Sequence, residues 1–205
     1  MSDDGQSMRD DLAFMRAVVE AGNSRTAMAG GEAFVAGGLI YGAQCFVQWL
    51  GASGTVELSK LGWLLSSLGP TVIFLAWLGW FIWRTQGLVQ PRAQQAINAA
   101  FAAAGSANLA LVIVVGMFAA RENSMEIWEL YPCFVFAMQG AAWLVAYMLR
   151  KRLWLLAVAL GWFAATVLLG AFIGSTTYIL IAALSLLVLM ALPGYVMIRL
   201  ARAAQ

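Results

Sequence analysis

The sequence predicts an all-α, polytopic integral membrane protein. Six transmembrane helices keep both termini in the cytoplasm, and a short amphipathic cytoplasmic helix precedes them. Three observations carry this prediction. Uncharged apolar runs at 33–56, 61–83, 93–120, 130–149, 153–177 and 178–198 each approach or exceed the roughly 20 residues that cross a bilayer. The 205 residues are 62% hydrophobic and only 11% charged, too little charge to clothe a soluble domain. Finally, the basic residues sit at alternate span ends. Arg9, Arg16, Arg25, Arg84, Arg92, Arg150, Lys151, Arg152, Arg199 and Arg202 fall on one side, against Lys60 and Arg121 on the other. By the positive-inside rule the richer side is cytoplasmic, and the membrane expected is a bacterial inner membrane. The division is then a cytoplasmic segment 1–28, a transmembrane domain 29–198 and a tail 199–205, with no room for a second globular domain.

In the N-terminal segment Met8, Leu12, Met15 and Val19 recur at helical spacing, the pattern of an amphipathic helix lying on the membrane or capping the bundle. Gly22-Asn23-Ser24 is expected to end it, with Ser24 or Thr26 capping the next helix. The acidic start, with Asp3, Asp4, Asp10 and Asp11, is a poor secretory signal, so span one is expected to be retained.

Span one carries Gly37, Tyr41, Gln44 and Gln48 on one helical face. An amide facing hydrocarbon lacks partners, so this stripe should turn inward or toward another subunit. Gly38 and Gly42 form a Gly-x-x-x-Gly pair that admits a close neighbour. Glu32, near the basic end, is expected to reach the interface or to pair with Arg25 or Arg84. In span two, Pro70 cannot donate to the carbonyl of Ser66 and should bend the helix.

Span three opens on Gln94, Gln95 and Asn98, and its small residues from Ala102 to Ala107 suit a place at the centre of the bundle. Asn108, near mid-membrane, needs a partner. Arg121, Glu122, Glu126 and Glu129 form an acidic exterior cluster, read as a solvated loop. Pro132 is expected in the first turn of span four, and beyond it Gln139, Trp143 and Tyr147 share a face. Gln139 is expected to meet Gln44 or Asn108. Amides beside rings can build a pocket, including one that holds an organic cation. Gly170 and Gly174 should allow a tight hairpin into span six, where Pro193 kinks the chain.

Catalytic chemistry is not legible. The chain has no histidine and only two cysteines, Cys45 and Cys133, read as packing residues. It lacks the motifs of metalloproteases, serine hydrolases and phosphate-binding loops. The expectation is a protein that is not an enzyme, with no cofactor, no metal and no nucleic-acid partner. Lipids surround it, and its partner is a second copy or another protein. The amides and aromatics Tyr41, Gln44, Gln48, Asn108, Gln139, Trp143 and Tyr147 favour an oligomeric channel or facilitator for a small neutral or weakly cationic solute. One alternative is a noncatalytic sensor, regulator or assembly subunit. The other is a metal-dependent lipid-modifying enzyme using Glu122, Glu126 and Glu129.

Overall fold

A computed structural model describes the backbone of residues 3–87 and 90–203, with side chains from Arg25 onward. All regular structure there is helical. Helix α1 runs over Asp3–Ala52, α2 over Lys60–Thr85, α3 over Arg92–Glu122, α4 over Met125–Arg150 and α5 over Leu153–Ala171. The last span is α6 (Thr176–Leu186), a π-helical turn (Leu187–Ala191) and α7 (Leu192–Ala203) in succession. Among the described residues six helices are long and apolar enough to cross a membrane.

Local chemistry sets the helix ends. The Ser59 hydroxyl accepts from the Gly62 amide at 3.1 Å to open α2, and Ser124 and Ser175 cap α4 and α6 in the same way. Asn123, at φ 50°, closes α3 in the left-handed conformation that asparagine tolerates best after glycine. Gly174 holds φ +80° in the α5–α6 turn, where an L side chain would be strained.

Four expectations about elements are corrected. Helix α1 passes through Gly22-Asn23-Ser24 without stopping. Such residues cost a helix about 1 kcal/mol or less each, which weakens a helix without ending it. The amphipathic face expected at 8–21 lies outside the described side chains. Pro132 stands well inside α4, because capping by Ser124 starts that helix at Met125. Gly170 faces open space, so Gly174 alone serves the hairpin. Lastly, α3 is peripheral: it packs on α4, and Ala102, Ala103, Gly105, Ser106 and Ala107 are exposed. Small residues permit a close neighbour but do not supply one.

Helix α2 packs on α1, α1 on the whole of span six, α6 on α5, α5 on α4 and α4 on α3. The tightest seam lies between α1 and span six. A Cβ on Gly31 would stand 2.7 Å from the carbonyl oxygen of Gly194, and one on Gly194 would stand 2.7 Å from that of Gly31. Gly38 lies against Ala191, and Gly42 against Leu187. The close neighbour expected at Gly38 and Gly42 is therefore span six of the same chain.

Aromatic rings fill the interior. Trp143, Trp162 and Leu169 are almost wholly buried, and Phe136 meets Trp162 edge-on at 4.8 Å. Pro193 has no N–H to offer the Leu189 carbonyl, and the buried indole of Trp162 donates to that oxygen at 3.1 Å.

Candidate functional site

The basic end of the bundle gathers residues from five helices around a cavity of about 40 Å³. Gly30 and Phe34 come from α1, Gln94, Ile97, Asn98 and Phe101 from α3, Trp143, Ala146 and Arg150 from α4, Trp154 and Leu155 from α5, and Met197 from α7. That volume admits one or two water-sized groups. Three rings form one wall: Phe34 lies 4.9 Å from both Phe101 and Trp143, and Phe101 meets Trp143 at 5.6 Å. Trp154 meets Trp143 edge to face at 6.1 Å.

A relay of amides lines the opposite side. Arg150 donates to the Gln94 side-chain oxygen. Gln94 then donates to Asn98 at 2.7 Å, and Asn98 to the Gln90 side chain at 2.8 Å. A guanidinium can only donate, so Gln94 must turn its oxygen to Arg150 and its nitrogen to Asn98. The orientation of every amide in the relay follows from that charge. Gln94 is 5% exposed, and its satisfied hydrogen bonds are what make such burial tolerable.

Two donors remain. The indole nitrogens of Trp143 and Trp154 are buried with no hydrogen-bond partner among the described residues. Trp162, as buried as Trp143, shows the contrast: it has the Leu189 carbonyl.

The other residues singled out from sequence scatter. Tyr41 packs against Phe74 of α2, the ring centroids 5.2 Å apart and the planes tilted by 57°. Gln44 and Gln48 both turn to Ser67 of α2, donating to its carbonyl at 3.3 Å and its hydroxyl at 3.2 Å. The amide stripe is thus an α1–α2 contact. Hydrogen bonds between membrane helices contribute about 0.6 kcal/mol on average. Ser67→Ala, which removes only the hydroxyl, should therefore shift the unfolding of detergent-solubilised protein by no more than about 1 kcal/mol.

Gln139 and Asn108 do not complete the expected set. The side-chain oxygens of Gln44, Asn108 and Gln139 are each buried without a partner, so none of the three accepts from another. Tyr147 lies under the Lys151 ammonium at 5.9 Å. Glu32 pairs with Arg84 at 3.7 Å, with both side chains partly exposed. Cys45 and Cys133 are free thiols.

At the opposite end the carboxylates have separate hydrogen-bond partners. Glu122 pairs with Arg121 at 3.2 Å, while Glu129 accepts the Gly174 amide at 2.6 Å. The Glu129 carbonyl also takes the Tyr178 hydroxyl at 2.6 Å, tying α4 to the α5–α6 turn. Among the described residues no three His, Cys, Asp or Glu side chains converge as metal ligands. A recess of about 310 Å³ at the α3–α4 turn is lined by Ala119, Ala120, Asn123, Ser124, Met125 and Trp128 and brings no charged group.

Of the pocket, the sequence-based choice contained Trp143 alone. Arg150 was read as a topogenic loop charge, and Gln94 and Asn98 as the soft start of a span. One signal was present: two amides one helical turn apart, next to the apolar run of a membrane helix, share a face that needs polar company.

The described chain is all-helical, with six helices long and apolar enough to span a membrane and a polar, aromatic-walled pocket at its basic end. No protein-family model matches it, and no curated protein or solved structure matches it either.

Proposed function

We propose that this chain is a noncatalytic membrane protein that binds a small ligand in the pocket at its basic end and acts as a sensor or regulatory subunit. By the positive-inside rule that end faces the cytoplasm, as do both termini. The observation that carries the reading is the Arg150–Gln94–Asn98 relay, its amides oriented by the guanidinium, beside a cavity walled by Phe34, Phe101 and Trp143.

The same geometry argues against the facilitator reading. A solute path needs polar groups in succession through the bundle. Here Gln44 and Gln48 are spent on Ser67 of α2, and the rings of Phe34, Phe101 and Trp143 stand at the inner wall of the pocket. Phe136 and Trp162 fill the core.

Stopped-flow light scattering on proteoliposomes tests this directly. Glycerol, urea and methylammonium should enter no faster than into protein-free vesicles. Protein-dependent entry of any of them, lost on replacing Gln44, Asn108 and Gln139 together, would overturn the reading and restore a permeation path.

A further inference from the structure

We propose that residues 4–19 of α1 pair with the same segment of a second copy as a parallel, two-stranded coiled coil. The course of α1 and the register of its sequence carry this, independently of the pocket.

Helix α1 does not stop where its neighbours stop. Leu187, Ala191 and Ile198 lie against Gly42, Gly38 and Gly31. In that antiparallel register Ala203, the last residue of α7, comes level with Thr26. Arg84, near the end of α2, pairs with Glu32. Gln94, Arg150 and Trp154, from the matching ends of α3, α4 and α5, line one cavity with Gly30. The backbone of α1 runs unbroken from Arg25 back to Asp3. At roughly 1.5 Å per residue, residues 3–24 carry the helix about 33 Å further. A helix continuous with a membrane span leads away from the bilayer and does not lie on it. Helices in proteins owe most of their stability to packing an amphipathic face, and this stretch holds Gly5, Gly22 and Asn23, all poor helix formers. It calls for a packing partner.

The sequence register names that partner. Met8, Leu12, Met15 and Val19 recur in alternating steps of four and three, the spacing of a coiled-coil seam. Leu12 and Val19 are then a positions, and Met8 and Met15 are d positions. The same register puts Asp4 and Asp11 at g, and Arg9 and Arg16 at e. In a parallel pair each g position faces the e position of the next heptad in the other helix. Asp4 therefore stands opposite Arg9 of the second copy, and Asp11 opposite Arg16 of the second copy. An antiparallel pair would set aspartate against aspartate and arginine against arginine. Two copies in one membrane share an orientation by the positive-inside rule, so their projecting helices already run parallel. The segment is complementary to itself in the one arrangement that the membrane allows.

The seam is short. Gly22 occupies the next d position, and Thr26, at the next a position, is buried within the chain. Pairing is thus confined to the projecting part, and the two helices part before the bundles begin. Copies held in one membrane have already lost part of the freedom that association costs, which favours even a brief seam.

The experiment uses the full chain with two different tags, expressed together in one membrane and extracted in a mild maltoside. Asp11→Arg puts like charges at the 11–16 sites of a pair, and so does Arg16→Asp. Either substitution on both tags should cut co-recovery about tenfold relative to the native chain. Asp11→Arg on one tag with Arg16→Asp on the other restores opposite charges at both sites, and co-recovery should return to the native level. That rescue also shows that neither variant is misfolded. In a Cys45→Ala, Cys133→Ala background, Met15→Cys should form an interchain disulfide in native membranes under copper phenanthroline and air. Ala17→Cys, at an outer f position, should not. Loss in the single variants without rescue in the mixed pair would overturn the proposal, as would equal cross-linking at positions 15 and 17. Native chains that never recover one another, or a different protein held by this segment in place of a second copy, would overturn it too.

Discussion

Adding one methyl group at Gly194 should unfold a large share of the protein, while the same change at Gly170 should pass unnoticed. The new Cβ at position 194 would stand 2.7 Å from the Gly31 carbonyl oxygen, 2.8 Å from the Cβ of Phe34 and 2.8 Å from the Val35 amide nitrogen. Two of those atoms are backbone and the third is fixed to it, so no side-chain rotation can make room. Helices α1 and α7 must separate, and with them the seam that covers Gly38 and Gly42. Overpacking of this kind costs about 1–3 kcal/mol and occasionally more, and valine at the same place should cost more than alanine. Gly31→Ala should behave alike, since it meets the Gly194 oxygen at 2.7 Å. At Gly170 nothing lies within 4 Å, and alanine's better helix propensity, up to about 1 kcal/mol, leaves stability unchanged or slightly raised. Heating each variant in detergent and measuring the monodisperse fraction by size exclusion decides the matter. A Gly194→Ala protein as stable as Gly170→Ala would mean that α1 and α7 do not cross at these glycines.

That seam also shows how far the sequence could be read. Apolar runs report the free energy of transferring a segment into lipid, and they placed all six helices. They carry no term for which helix lies beside which. The Gly38–Gly42 spacing announced a close neighbour correctly, yet nothing in it distinguished a second copy from span six. The uncharged run 153–177 overruns its helix, since α5 ends at Ala171 and the chain turns at Gly174, because hydropathy is blind to backbone conformation. The pocket was the least legible part. Its central contact joins Gln94 to Arg150 across two helices, and it exists only once α3 packs on α4. Charge at a loop and amides at a helix start each had an ordinary explanation alone, and only their adjacency changes what they mean.

The indole of Trp162 should stabilise the protein more with proline at 193 than without it. In an unbroken α-helix the amide of residue 193 would bond the carbonyl of Leu189. Proline removes that donor, and the chain passes the site through a π-helical turn at Leu187–Ala191, in which the Leu192 amide reaches back to the Leu187 carbonyl. The Leu189 oxygen accepts from the Trp162 indole at 3.1 Å, and that tryptophan is itself only 1% exposed. Trp162→Phe keeps most of the ring volume against Phe136 but removes that donor, a loss of about 1–3 kcal/mol. In a Pro193→Ala background a backbone N–H is again present to compete for the oxygen, so the same tryptophan change should cost less. The coupling from the full cycle, measured by denaturant unfolding in mixed micelles, should be at least about 0.5 kcal/mol in that direction. Strict additivity would mean that the indole fills space at this bend without supplying the missing donor. Pairing matters here because it separates Trp162 from Trp143 and Trp154. All three rings pack on the same core, and the one beside a proline has its acceptor within the chain. Among the described residues, the two whose donors stay unpartnered are the two whose rings line the cavity.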